Sequence, residues 1–173
     1  MRRDIRQEAI VLLAHPWGWV ASGLGSGLSP WAPGTVGSAV AVGLFVLSGA
    51  LAWPWWWHLL VLAVAFGLGV LASDWTCRAL TTDDASAIVM DEWVGQWLTL
   101  AVGAAFWPFG GGWMTPAFYA TAFLLFRIAD ILKPWPASLA DRTLHGGFGA
   151  MFDDLLAALY SALVVALIGW ALH

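Results

Sequence analysis

The side chains able to do chemistry are gathered into a few short stretches of this chain. The richest is Arg127 to Asp154, RIADILKPWPASLADRTLHGGFGAMFDD, with three of the seven basic residues and four of the eleven acidic ones. Arg127, Asp130 and Lys133 recur every three residues, which on a helix places them along one face. Pro134 disfavours helical geometry at Lys133, so that helix is expected to end there. KPWP makes a rigid turn, and Asp141, Arg142 and His145 follow. The glycines of HGGFG permit close approach of backbone to a ligand. Asp153 and Asp154 are then expected to open a last helix. One acid there complements the helix dipole; two adjacent acids invite a cation.

A second stretch, DASAIVMDE, runs from Asp84 to Glu92. A helix through it would carry Asp84 and Asp91 on one face. Three acids at the edge of an apolar segment repel one another unless a cation or a basic group joins them. A third stretch, Gly25 to Ser38, reads GSGLSPWAPGTVGS. Thr35 is expected to cap a helix beginning at Val36. The backbone N–H groups of Gly34, Thr35 and Gly37 could then hold an anion at that helix start. The plainer alternative is a turn and cap with no ligand. The stretch lacks the Gly-Lys-Ser/Thr ending of a P-loop.

Taken together, these are carboxylate oxygens from separate segments with phosphate-type donors among them. Oxygen ligands suit Mg2+, and no Cys/His array suggests zinc. Arg127, Lys133 and Arg142 suit a phosphate. The chemistry implied is metal-assisted reaction at a phosphate.

The elements that must position these groups are apolar. Of 173 residues, 61% are hydrophobic and only 10% charged, and fourteen are Trp. A soluble domain carries roughly 25% charged residues, so lipid is the expected solvent for most of the surface. No charge occurs from Ala9 to Ser73. Five apolar runs follow one another: Val36–Trp53, Trp55–Ala72, Trp93–Trp107, Thr115–Leu132 and Leu155–Leu172. A run of 18 residues spans roughly 27 Å as a helix, enough to cross a bilayer core. The expected fold is an all-α integral membrane protein: one domain over residues 1–173, a compact bundle of about five transmembrane helices. The start, MRRDIRQEAIVLLA, opens like a signal peptide, but His15-Pro16-Trp17 cuts its apolar run short. It is expected to lie as an amphipathic helix at the membrane surface.

Charge orients the bundle. Arg2, Arg3 and Arg6 belong in the cytoplasm by the positive-inside rule. Threading five spans from there places every Lys, Arg, Asp and Glu on the cytoplasmic face. The Trp53–Trp57 cluster and the PFGGGW turn fall outside. His58 and His173 fall outside too and are expected to be interfacial caps. A single Cys77 excludes an intramolecular disulfide and fits a reducing compartment. A net charge of −4 gives no basic footprint for a nucleic-acid partner.

Three patterns, GxGxxPxAPGTxGS at 25–38, an Asp…ValxAspGlu pattern at 84–92, and FRxxDxxKPxPxxxxDRxxxGGxGxxxDD at 126–154, resemble the phosphatidylglycerophosphatase A family. The resemblance covers nearly the whole chain. It implies a Mg2+-dependent enzyme of the bacterial cytoplasmic membrane. Such an enzyme removes the terminal phosphate of phosphatidylglycerophosphate to leave phosphatidylglycerol, with a membrane phospholipid as substrate. On that reading Asp84, Asp91, Glu92, Asp153 and Asp154 hold one or two Mg2+ ions. Asp130 ligates metal, orients Arg127 or acts as base. Arg127, Lys133, Arg142 and the Gly34–Gly37 N–H groups neutralise the phosphate. His145 protonates the leaving glycerol oxygen, the alternative being a capped loop histidine. The attacking group is a water molecule or a carboxylate. Two rival functions are a phosphatase for another lipid phosphate, such as a prenyl phosphate, and a small transporter. The second is disfavoured because spans one, two and five carry no charge.

Overall fold

A computed structural model describes residues 5–82, 85–109 and 114–172. The described residues form eight α-helices and two short 3-10 turns, with no strand among them. In order the helices are α1 (Ile5–Leu13), α2 (Pro16–Ala21), α3 (Pro33–Leu47), α4 (Trp55–Leu80), α5 (Met90–Ala104), α6 (Met114–Leu132), α7 (Ala137–Thr143) and α8 (Gly146–Ala171). Each of the five apolar runs is helical. Three helices, α4, α6 and α8, are long and apolar enough to cross a membrane; α3 and α5 have 15 residues each.

Several helix ends differ from expectation, each for a local reason. α3 begins at Pro33, not Val36. Ala32, with φ 41°, is its N-cap, and proline fills the first position, where its missing N–H costs nothing. Thr35 is therefore inside the first turn and caps nothing. α3 stops at Ser48, and a 3-10 turn at Ala50–Ala52 leads to Trp53. α4 continues past Ala72 to Leu80 and closes on Thr81 in the left-handed region, with Thr82 N–H on the Cys77 carbonyl at 3.0 Å. α6 ends at Leu132 as Pro134 requires, and Lys133 turns left-handed with φ 42°.

α8 begins at Gly146, so Asp153 and Asp154 sit two turns inside it rather than at its start. Its N-terminus is complemented from another helix: the Gly147 N–H donates to Asp74 Oδ1 at 2.5 Å. A Cβ on Gly147 would collide with the Val70 carbonyl of α4. That glycine serves helix–helix approach rather than approach to a ligand.

α8 is the central helix and packs on α4, α5, α6 and α7. Its inner face is made of small residues, Ala157, Ala158, Ser161, Ala162, Val165 and Gly169, all buried. Between helices bathed in lipid, close van der Waals packing replaces the hydrophobic effect as the cohesive force, and small residues allow it. Thr99 and Ser161 share a buried hydrogen bond of 2.8 Å across the α5–α8 contact. A larger cluster of Phe45, Leu100, Trp107, Phe118, Ala122 and Val165 fills the other half of the core.

α1 and α2 fold back beside the C-terminal half of α4. His15 stacks on Trp75 with centroids 4.3 Å apart, and Ala21 packs with Ala72.

Candidate active site

The alternating direction of α3, α4, α5, α6 and α8 brings five helix ends together. The starts of α3, α5 and α8 meet the ends of α4 and α6 around a cavity of about 600 Å³. Its walls carry Pro33 and Gly34 from α3, Cys77 from α4, and Asp91 and Glu92 from α5. Asp130 and Lys133 come from the end of α6, Asp141 from α7, and His145, Asp153 and Asp154 from α8 and its cap.

Asp91, Glu92 and Asp154 each offer a carboxylate oxygen, and these three oxygens lie within 4.8 Å of one another. Asp154 is 4% exposed. Glu92 Oε2 and Asp154 Oδ2 are buried without a hydrogen-bond partner among the described residues. Three carboxylates this close, in a site of low dielectric, disfavour one another's charge unless a cation joins them. An all-oxygen set with unsatisfied lone pairs fits a hard divalent ion. Asp153, next in sequence, turns to a different partner: one oxygen takes the Lys133 ammonium, and Oδ1 has no partner among the described residues. Asp84 lies outside the described residues.

Behind this wall stands Arg127. Its Nη1 is 2.6 Å from Asp130 Oδ2 and 3.7 Å from Glu92 Oε1, and it donates to Ser38 Oγ at 3.4 Å. Arg127 does not line the cavity. The expected phosphate donor is thus paired with Asp130 and set beside Glu92, outside the cavity lining. Gly34 makes this possible, because a Cβ there would collide with Glu92 Oε1 and crowd Arg127.

Lys133 is the cation that does face the cavity. Its ammonium contacts Asp141 Oδ1 at 2.5 Å and also Asp153 Oδ2. Burial alone would lower its pKa; the hydrogen bonds to Asp141 and Asp153 more than reverse this and hold it above the ordinary lysine value. The Lys133 ammonium in turn holds the Asp141 carboxyl below its ordinary value.

Other expected site residues fall elsewhere. Arg142 follows Asp141 on α7; it is exposed and is not among the residues lining the cavity. Thr35 does not reach the cavity, and Gly37 packs against Val89 of the α5 approach. Only the first two residues of α3 border the opening. His145 lines it from the cap position of α8, exposed, with no side-chain capping bond. Asp141 and Ser38 are the partners that sequence reasoning left unassigned. The signal for Asp141 was its place eight residues beyond Lys133 across a proline turn, close enough for the chain to fold back. Ser38 ends the APGTVGS stretch, one helical turn beyond Gly34, and its partner on α6 had no sequence signal.

His58 is not an interfacial cap. It is buried and accepts a 3.3 Å hydrogen bond from Trp97 Nε1 at Nδ1, among the rings of Phe45 and Trp53. His173 lies outside the described residues.

The family model for Phosphatidylglycerophosphatase A matches residues 19–169. The Escherichia coli protein named Phosphatidylglycerophosphatase A is 39% identical over 168 residues, covering 96% of this chain and 91% of that protein. The Haemophilus influenzae protein of the same name is 38% identical over 160 residues, covering 90% of each. No solved structure matches the chain. By this match over most of its length, the chain belongs to the phosphatidylglycerophosphatase A family.

Proposed function

We infer that this protein hydrolyses the terminal phosphate monoester of phosphatidylglycerophosphate, giving phosphatidylglycerol and phosphate. Family membership supports the reaction. The observation that carries the mechanism is the cluster of Asp91, Glu92 and Asp154 facing Lys133 across one cavity at the end of apolar helices. A lipid whose acyl chains stay in the leaflet can present its headgroup there.

In this reading Asp91, Glu92 and Asp154 hold Mg2+, which when bound supplies charge stabilisation for the attacking and leaving oxygens. Lys133 donates to the phosphate oxygens. Asp130, with one oxygen held by Arg127, accepts a proton from the attacking water. His145 returns a proton to the glycerol oxygen as the ester bond breaks. Phosphoryl transfer demands positioning and charge neutralisation above all, and the cavity supplies both.

The topology that accompanies this reading has five spans, α3 and α5 joining α4, α6 and α8. α1 and α2 lie at the interface, and the cavity faces the cytoplasm of a bacterial inner membrane. Clustering of the charged side chains at one end supports it, by the positive-inside rule.

Purified protein in mixed micelles, offered phosphatidylglycerophosphate and a prenyl phosphate with Mg2+ or with a chelator, tests the reading. Phosphate release from phosphatidylglycerophosphate is expected, and it should stop with the chelator. Release that survives chelation removes the metal. Faster release from the prenyl phosphate replaces the substrate.

A further inference from the structure

Asp141 lies outside the three-carboxylate cluster, yet it lines the same cavity. Among the described residues lining that cavity, its partner Lys133 is the only Lys or Arg. A lysine ammonium has three N–H donors. Asp153 takes one from the buried side and Asp141 takes a second, at 2.5 Å, from the exposed side. One donor is left for the cavity.

The rest of Lys133 is fixed as firmly as its tip. Its backbone is left-handed, φ 42°, a conformation that a non-glycine residue keeps only where its surroundings impose it. Its N–H closes α6 on the Ala129 carbonyl at 2.8 Å. The turn after it is tied to α8, where Tyr160 Oη donates to the Trp135 carbonyl at 2.6 Å. Only the four-carbon stem is free to sample rotamers, and the two carboxylates settle it.

We propose that Asp141 is a positioning residue that acts through Lys133, clamping the ammonium against Asp153 so that its remaining N–H meets the terminal phosphate of the lipid. This rests on the phosphatase reading above. The opposite role, Asp141 as a competitor that the phosphate must displace, predicts the opposite sign in KM.

Asp141→Asn keeps the shape and removes the charge. KM for phosphatidylglycerophosphate is expected to rise about tenfold, the scale of one charge-assisted hydrogen bond, while kcat changes less than about threefold. Asp141→Glu restores most of the loss. In a Lys133→Met background, Asp141→Asn adds nothing further. An unchanged or lowered KM overturns the proposal. So does a collapse of kcat at constant KM, or an additive double variant. If Asp141→Asn accumulates poorly, Asp141→Ser carries the same comparison. Calorimetric binding of inorganic phosphate to the resting protein separates the two levels. Wild type that binds phosphate but hydrolyses no lipid phosphate sinks the phosphatase reading. Equal phosphate binding by wild type and Asp141→Asn sinks the clamp.

Discussion

The two ends of the helix bundle are built on different rules. At one end, six carboxylates and one lysine surround a cavity. At the other, Phe45, Trp53, His58 and Trp97 pack ring against ring, with centroids 5.0–6.4 Å apart. The aromatic end satisfies the polar atoms that it buries. His58 Nδ1 takes the Trp97 N–H, and Trp107 Nε1 donates to the Met114 carbonyl at 3.1 Å. The charged half does not. Among the described residues, every buried side-chain polar atom without a partner belongs to it: Ser73, Thr76, Glu92, Trp93, Gln96, Arg127, Asp153 and Asp154. One of the left-handed non-glycine residues, Lys133, lines the cavity as well, and another, Ala32, directly precedes Pro33 on its wall. A buried polar atom left unpaired costs about 1–3 kcal/mol. Such costs concentrated at one end mark where the fold has been shaped for a ligand rather than for its own stability.

The largest test of that contrast is Asp154→Asn. It turns one of three clustered carboxylates into a neutral amide, and on the proposed metal reading phosphate release should fall about a hundredfold or more. The same change removes like-charge repulsion between buried carboxylates. With no divalent cation present, the variant should therefore melt higher than wild type. Added Mg2+ should raise the melting temperature of wild type and leave the variant where it was. A variant that is both active and less stable would mean that the charged end is ordinary packing.

Gly34→Ala sharpens the comparison at one remove from the chemistry. The new methyl meets Glu92 Oε1 and the Arg127 guanidinium, and either the carboxylate or the start of α3 must shift. Misplacement of a ligand by about 1 Å costs about a hundredfold; a partial shift should cost tenfold or so. The loss should be partly recovered at high Mg2+, because the carboxylate is displaced and not removed. Activity equal to wild type would show that Glu92 tolerates movement and that the cluster is looser than its geometry.

The same contrast decides what could be read from the sequence. The helices were legible because lipid-facing helices are continuous apolar runs, whatever they pack against. Their ends at the cavity were not. Hydropathy stops at the first charge, but α4 and α8 continue through theirs: Asp74 accepts the Gly147 N–H of α8, and Asp153 takes the Lys133 ammonium. That is why Asp153 and Asp154 seemed to open a helix that had begun two turns earlier. Asp91, Glu92 and Asp154 were identifiable as residue types, and their convergence follows from antiparallel threading. The partner of each charge was not identifiable. Arg127 is set i,i+3 from Asp130, which the spacing revealed, but its contact with Glu92 crosses from α6 to α5. Likewise Lys133 meets Asp141 only because the chain reverses at Trp135-Pro136. His58 was misplaced for a related reason: a histidine next to three tryptophans reads as interfacial, and nothing in the local pattern announces that Trp97 will arrive to bond it.

The smallest expected effect on activity comes from breaking the aromatic end. His58→Ala removes the acceptor for Trp97 Nε1 and one ring from the stack. The cost combines a lost hydrogen bond with lost ring packing and should be about 2–3 kcal/mol of stability. α3, α4 and α5 meet at that ring cluster, and the same three helices carry Gly34, Cys77 and Glu92 to the cavity at their other ends. A helix is stiff along its length, so two outcomes are physically distinct. If the ends are independent, His58→Ala lowers the melting temperature while KM and kcat stay within about twofold of wild type. That result is expected, because α5 is also held to α8 by the buried Thr99–Ser161 hydrogen bond, which involves none of the four rings. A kcat lowered in proportion to the loss of stability would instead make the bundle a single lever. The division between a stable end and a reactive end would then be one of composition only.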